Sequence, residues 1–149
     1  MTHDALPIFV SHVWYRNRFE KEYGPLYEKY GLGTTIWSPL ASGALTGKYL
    51  EGIPEGSRAS LEGYEWLKKS MVESDRGQER MTRVASLALI AKKLNVSMSK
   101  LAIAWCLLNK NVSTVILGAS KIEQLEENLK SVEVLPLLDE SIQKELLLI

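Results

Sequence analysis

The sequence predicts an α/β fold in which short parallel strands alternate with amphipathic helices. Two β-branched runs, residues 34–37 and 112–117, end abruptly in Gly, Pro or Ser, as buried strands do where they enter a loop. Between them, residues 75–94 carry apolar side chains at helical spacing. Because ligands bind at the carboxyl ends of parallel strands in such folds, the loops after the two runs are the first candidates for a site.

The remaining elements follow from periodicity and capping residues. A helix over residues 19–30 is predicted to stop at Gly31, and a short helix is predicted over 63–71. Ser97 is predicted to cap the helix that follows it, and Asp139 is predicted to start the last helix.

The segment after the second run predicts a helix whose first turn faces an anion. Ser120 is followed three residues later by Glu123, the spacing of a capping box, which places the helix start at Lys121. A helix N-terminus carries partial positive charge, and Gly118 lets the backbone approach a ligand closely. This end of the helix is therefore predicted to bind a phosphate group.

The same helix is predicted to have one buried face and one ligand-binding face. Its buried stripe is predicted to consist of four apolar residues at helical spacing, Ile122, Leu125, Leu129 and Val132. Another face carries Gln124, Glu127 and Asn128, whose polar groups can hydrogen-bond a polar ring. The alternative is an ordinary amphipathic helix with a capped start and a solvated polar face.

The loop after the first run is predicted to break the strand and to present a cation. Pro39 cannot donate to a sheet, and it favours an extended conformation for Ser38. Two glycines, the first of them Gly43, then predict a flexible loop that presents Lys48. The loop is no P-loop, because three residues separate the glycines and Tyr49 replaces the magnesium-binding hydroxyl residue. A merely solvated lysine is the alternative to a phosphate contact.

Composition argues against several classes of partner. The 18 basic residues balance the 18 acidic ones, so no net field draws nucleic acid or an anionic membrane. No apolar run reaches the length of a membrane span, and no residues show metal-ligand spacing. Cys106 is the only cysteine and lies in an apolar helical run, which predicts a packing role and a reducing, cytoplasmic location.

Five segments stand in the order and spacing of a known family. They are Trp37-Ser38-Pro39-Leu40-Ala41-Ser42-Gly43, Leu45-Thr46-Gly47-Lys48-Tyr49, Ser57-Arg58, Leu101-Ala102-Ile103-Ala104-Trp105-Cys106, and Gly118-Ala119-Ser120 with Gln124, Glu127 and Asn128. Together they resemble the C-terminal half of an aldo-keto reductase, most closely the branch that contains the β subunits of voltage-gated potassium channels. The resemblance covers residues 16–149 and leaves 1–15 as an unmatched leader.

The resemblance implies a (β/α)8 TIM barrel that holds NADPH across its C-terminal face. Such a barrel usually takes about 250 residues, so a chain of 149 residues is expected to be its C-terminal half, an incomplete barrel. In such reductases the loop after the seventh strand wraps the pyrophosphate, which implicates Trp37, Ser38, Pro39, Leu40 and Gly43. The resemblance places Lys48 and Arg58 near the phosphates of the adenosine half, Ser120 at the 2′-phosphate, and Gln124, Glu127 and Asn128 beside the adenine.

The family's catalytic Asp, Tyr, Lys and His or Asn lie on the first four strands, and this chain matches none of them. The expected function is therefore the NADPH-binding part of an enzyme that reduces aldehydes or ketones, inactive by itself. The alternatives are a non-enzymatic regulatory subunit of the potassium channel β type and a truncated gene product. Expected partners are NADPH, a carbonyl substrate in the full-length family, and a second copy or a channel-type protein.

Overall fold

The computed structural model describes residues 8–10 and 16–149. Within these residues, three parallel strands form a sheet in the order β1–β2–β3. They are β1 at Ile8–Val10, β2 at Thr34–Trp37 and β3 at Val112–Val115. The predicted strand over 34–37 is confirmed, whereas the run 112–117 forms a shorter strand than predicted.

Helices make up most of the rest of the described chain. The α-helices are α1 Gly24–Tyr30, α2 Glu65–Lys68, α3 Asp75–Lys93, α4 Met98–Leu107, α5 Ile122–Leu129 and α6 Glu140–Leu147. Two π-helical turns cover Arg18–Glu22 and Lys69–Glu73, and 3₁₀ segments cover Ala41–Thr46, Arg58–Ser60 and Lys130–Leu137.

Side-chain caps begin three of the helices. The Ser97 hydroxyl accepts from the Lys100 N–H at 3.3 Å, and the Asp139 carboxylate accepts from the Ile142 N–H at 2.9 Å. The predicted cap at Ser97 and the predicted helix start at Asp139 are therefore confirmed. Ser74 caps α3 in the same way. These contacts satisfy amide groups that would otherwise lack a partner in the first turn.

The predicted helix over 19–30 is divided into two. Arg18–Glu22 forms a π-helical turn, and α1 begins anew with Pro25 in its first turn. Proline has no N–H to donate to the preceding turn, which explains the division. The predicted stop is confirmed, because Gly31 adopts φ +62° and donates to the Tyr27 carbonyl at 2.9 Å.

Two apolar clusters form the core. The larger lies among α3, α4, α6 and the segment 41–59, and its fully buried members include Leu45, Val84, Leu87, Leu101 and Leu146. The smaller joins α1 to the sheet through Phe19, Tyr27, Ile36 and Cys106. The predicted packing role of Cys106 is therefore confirmed.

Arg16 links the last helix, α6, to the N-terminal end of the segment 16–149. The Arg16 guanidinium donates to the Leu147 carbonyl at 2.6 Å and lies 5.7 Å from the ring centroid of Trp105. A cation at the carboxyl end of α6 complements the partial negative charge there. Lys93 of α3 forms an ion pair with Glu145 at 2.6 Å, which holds the same helix from another side.

The predicted orientation of α5 is wrong. Its apolar stripe is exposed, with Ile122, Leu125 and Leu129 at 73%, 43% and 59% and Val132 of the following 3₁₀ segment at 57%, whereas Asn128 is only 5% exposed. Helix α5 contacts α4 and the 3₁₀ segment after it. Periodicity fixes which residues share a face, but burial requires a partner for that face. Among the described residues nothing covers the stripe.

Candidate functional site

The loops that follow β2 and β3 lie side by side at one edge of the sheet. The two strands are parallel neighbours, with Ile36 opposite Val115, and the Ile116 N–H donates to the Ile36 carbonyl at 2.7 Å. Both loops therefore leave the sheet at its carboxyl end, as predicted. This is the edge at which α/β folds place ligands.

The loop after β2 departs from the expected conformation at its first residue. Ser38 has φ +55°, so the extended conformation predicted for it is wrong. The chain reverses at once here, because the Ala41 N–H donates to the Ser38 carbonyl at 2.9 Å. Ala41, Ser42 and Gly43 also have positive φ, at 49°, 57° and 92°. Such conformations cost on the order of 1–3 kcal/mol each at non-glycine residues and cluster at functional sites.

This loop is ordered by its own hydrogen bonds, so the flexible loop that two glycines predicted is wrong. The Gly43 and Leu45 N–H groups both donate to the Leu40 carbonyl, at 2.9 and 3.2 Å. The Thr46 hydroxyl donates to the Gly43 carbonyl at 2.8 Å. Ala41, Ala44 and Leu45 of this segment are buried in the larger core.

Lys48 is exposed, as predicted, and its side chain lies across Gly43. A Cβ atom at Gly43 would stand 2.5 Å from the Lys48 Cε and 2.6 Å from its Nζ. The ammonium is 5.1 Å from the ring centroid of Tyr49. Gly43 therefore contributes space for the lysine, and its own N–H is already engaged with Leu40.

The other predicted residues of this loop differ in exposure. Trp37 is 49% exposed at the end of β2, Pro39 is buried, and Ser38 and Leu40 are half-buried. Arg58 is exposed in the 3₁₀ turn Arg58–Ser60. Lys48 and Arg58 thus both present their cationic groups to solvent.

The predicted capping box at the start of α5 is wrong. The helix begins at Ile122, its N-cap is Lys121, and no side chain caps it. Instead, the Ser120 N–H and hydroxyl both donate to the Gln124 side-chain oxygen, at 3.0 and 3.2 Å. Ser120 lies one residue before the N-cap, and its hydroxyl donates to Gln124, where a capping serine would accept from a first-turn amide.

The predicted residues of the second loop and α5 are only partly accessible to a ligand. Gly118 and Ser120 are exposed, and no atom lies within 4 Å of a Cβ built on Gly118. Gln124 is exposed and Glu127 half-buried, but Asn128 is nearly covered. The structure places the three polar residues on one helix and leaves two of them with access to solvent.

A surface cleft of about 480 Å³ lies among residues 53–68. It is lined by Ile53, Ala59, Ser60, Leu61, Glu62, Glu65 and Lys68. None of the predicted cofactor residues lines it, although Arg58 adjoins it in the chain. Sequence reasoning missed the cleft because its walls come from a loop and a short helix with no recurring pattern.

Three further findings concern the Cys106 thiol, metal binding and membrane crossing. Burial raises the pKa of the Cys106 thiol to about 12, so this residue stays protonated near neutral pH. Among the residues that the structure describes, no group of three or more His, Cys, Asp or Glu side chains can hold a metal ion. In the same part of the chain, no helix combines the length and apolar character that crossing a membrane requires.

A parallel sheet with two neighbouring loops at its carboxyl edge, one of which carries an exposed lysine, defines an α/β protein with a candidate ligand site at this edge. A family model described as Aldo/keto reductase family matches residues 1–145, and the chain belongs to this family. The predicted family is thereby confirmed. The match includes residues 1–15, and the division between a leader and the rest of the chain stays a prediction.

Membership of the family implies an oxidoreductase with a TIM-barrel fold, a nicotinamide cofactor, NADH or NADPH, and carbonyl substrates. The described sheet, three parallel strands in chain order with mostly helical connections, is consistent with part of such a barrel. The loop after β2 fits the phosphates of a dinucleotide, because an exposed ammonium lies over a glycine that leaves room for it.

Proposed function

We propose that this chain binds NADPH at the carboxyl ends of β2 and β3 and forms the cofactor-binding part of an aldo-keto reductase that reduces aldehydes or ketones. The observation that carries the proposal is the Lys48 ammonium lying over Gly43 in a loop ordered by its own hydrogen bonds. A cation in a preformed loop binds phosphate without the entropic cost of ordering that loop.

Each loop has a separate role in the proposed complex. Lys48 and Arg58 supply charge-assisted hydrogen bonds to phosphate oxygens, and Trp37, Ser38, Pro39, Leu40 and Gly43 form the wall against the pyrophosphate. Gly118 and Ser120 approach the 2′-phosphate, while Gln124 and Glu127 lie beside the adenine. The covered Asn128 would reach the adenine only after a change in the packing of α5. When bound, the nicotinamide supplies the hydride that reduces the carbonyl.

The preference for NADPH over NADH is proposed from charge. Lys48 and Arg58 are both exposed, and neither forms an ion pair among the described residues. A 2′-phosphate adds negative charge that such cations stabilise. Ser120 reaches the same group only if it releases Gln124, because both of its donors now bond to that side chain.

The chain is further proposed to be the C-terminal half of the barrel, with residues 16–149 and the strand β1, which pairs with β2, as this unit. β3 has β2 on one side and no other described strand on its outer edge. Helix α5, which follows β3, leaves its apolar stripe exposed. In a (β/α)8 barrel the next strand and its helix would cover both features.

A second candidate is a non-catalytic regulatory subunit of the potassium channel β type. It is proposed because the chain is expected to lack the family's catalytic residues, which lie on the first four strands of the barrel. A truncated gene product would lack the same catalytic residues. In either case the bound dinucleotide would serve as a ligand and not as a reagent.

Dinucleotide titration tests the proposal. NADPH should bind the purified chain more tightly than NADH, and Lys48→Met should weaken NADPH binding by about tenfold or more, as loss of a charge-assisted hydrogen bond does. The matched control is Lys29→Met, since Lys29 also lies 5.1 Å from the ring of a following tyrosine but belongs to α1. Equal affinities for NADPH and NADH, unchanged by Lys48→Met, would contradict the assignment.

A further inference from the structure

Tyr49 makes contacts that no sequence motif assigned. Its side chain is 1% exposed, and its hydroxyl donates to the Ser42 carbonyl at 3.3 Å. The face of its ring lies under the Lys48 ammonium at 5.1 Å. One buried side chain thus touches both the backbone of the loop after β2 and the cation proposed to bind phosphate.

The Ser42 carbonyl belongs to the sharpest bend of that loop. Ser42 and Gly43 have φ values of 57° and 92°, which interrupt the 3₁₀ segment Ala41–Thr46. The next carbonyl, that of Gly43, accepts from the Thr46 hydroxyl at 2.8 Å. Two successive carbonyls at the bend are therefore held by side chains that follow them in the sequence.

The conformation of the Ser42–Gly43 bend determines where the Lys48 side chain can lie. The end of the Lys48 side chain occupies the space that a side chain at Gly43 would fill. If the bend opened, this space would move with the Gly43 backbone. Lys48 also has a cation–π contact, which holds the ammonium over the Tyr49 ring.

We propose that Tyr49 is a positioning residue that, together with Thr46, locks the Ser42–Gly43 bend and fixes the Lys48 ammonium over it, so that the dinucleotide phosphate meets a preformed site. We name these two side chains and the two carbonyls they hold the Tyr49 latch. The inference rests on the proposed function for the identity of its ligand. The alternative is that Tyr49 is only a member of the apolar core, in which it also lies.

Tyr49→Phe separates the two roles, because it keeps the ring and removes only the hydroxyl. NADPH binding should weaken by about two- to tenfold, the range that a single hydrogen bond is worth. Thr46→Val, which removes the second hydroxyl of the latch, should act in the same direction. Tyr30→Phe is the matched control, since Tyr30 also lies under a preceding lysine at 5.1 Å but is 60% exposed in α1.

A double-mutant cycle tests whether Tyr49 acts through Lys48. The double variant Lys48→Met, Tyr49→Phe should lose little more NADPH affinity than Lys48→Met alone, because the latch has no ammonium left to position. If Tyr49 only packs in the core, the fold losses of NADPH affinity in the two single variants should multiply in the double variant. Losses that multiply, or NADPH affinity unchanged in Tyr49→Phe, overturn the proposal.

A measurement without ligand examines the latch by itself. In Tyr49→Phe, the amides of Gly43 and Leu45 should exchange hydrogen faster by about two- to tenfold, while Tyr30→Phe leaves them unchanged. If the wild-type chain binds neither NADPH nor NADH, the proposed function fails and this measurement decides the latch. Unchanged exchange then overturns it, and faster exchange confined to residues 40–48 supports it.

Discussion

Gly43 contributes to the site by the volume it leaves free. Gly43→Ala keeps the N–H that donates to Leu40 but places a methyl group about where the Lys48 ammonium lies. We expect the lysine to swing away and NADPH binding to weaken by about tenfold, measured by titration. Gly31→Ala is the control, because Gly31 also has positive φ but no atom near its Cβ position. NADPH binding by Gly43→Ala as tight as by Gly31→Ala would contradict a role for the space that Gly43 leaves free.

Cys106 predicts a dependence of stability on alkaline pH. Burial raises its pKa from 9.0 to about 12, so the folded state favours the neutral thiol. The resulting stability is fully present below pH 9.0 and is lost as the pH rises towards about 12. In urea unfolding at pH 8 to 11, Cys106→Ala should flatten the decline relative to the wild type. Rapid reaction of the wild-type thiol with a disulfide reagent at pH 8, without denaturant, would contradict its burial.

Single residues were predictable where chemistry depends on residue type alone. The exposure of Lys48 and the burial of Cys106 follow from charge and hydrophobicity. Tyr49 could not be assigned, because its role depends on where the Ser42 carbonyl points. That direction follows from a positive φ at a serine, which no sequence pattern indicates.

At the scale of elements, three residues were predicted at helix starts, Ser97, Asp139 and Ser120. The first two cap their helices, and Ser120 does not. Ser97→Ala and Asp139→Ala should each lower the free energy of unfolding by about 1 kcal/mol, because each removes a partner of a first-turn N–H. Ser120→Ala should have little effect, since Ser120 caps no helix. Urea unfolding of the three variants checks this. If Ser120→Ala lowers the free energy of unfolding as much as Ser97→Ala does, the predicted capping box at Ser120 would be supported after all.

Elements whose signals are local were predicted well, and α5 was not. Helices α3, α4 and α6 follow a capping residue in the sequence, and Pro39 comes two residues after the end of β2. The apolar spacing of α5 is equally clear, yet its stripe is exposed and Asn128 is buried. The direction of a helix face depends on what packs against it, which is a property of the tertiary structure.

For the whole molecule, the exposed stripe of α5 and the free edge of β3 predict self-association of the purified chain. Ile122→Lys together with Leu129→Lys should reduce association in analytical ultracentrifugation without reducing helical circular dichroism. Leu89→Lys is the matched control, because Leu89 is 71% exposed on α3, away from the stripe. A wild-type chain that is a monomer with a cooperative melt would count against the half-barrel proposal.

The proposed division of the barrel also predicts activity only in combination. The chain alone should show no carbonyl-dependent oxidation of NADPH above background, because general acid–base catalysis contributes about a hundred- to ten-thousand-fold and its residues are unmatched here. Adding a fragment that contains the first strands of a related reductase should give a soluble complex that does not aggregate. Turnover by the chain alone at rates typical of intact reductases would exclude this interpretation.

The uncovered apolar stripe of α5 has a consequence for the lifetime of the chain in a cell. Chaperones and proteases recognise apolar segments that a folded protein normally covers. Three such side chains on α5, with Val132 just after it, would make the uncovered chain a substrate for this surveillance. Its abundance would then be set by how fast a covering partner arrives relative to degradation, so that the supply of the partner, and not the rate of synthesis, limits how much of the chain accumulates.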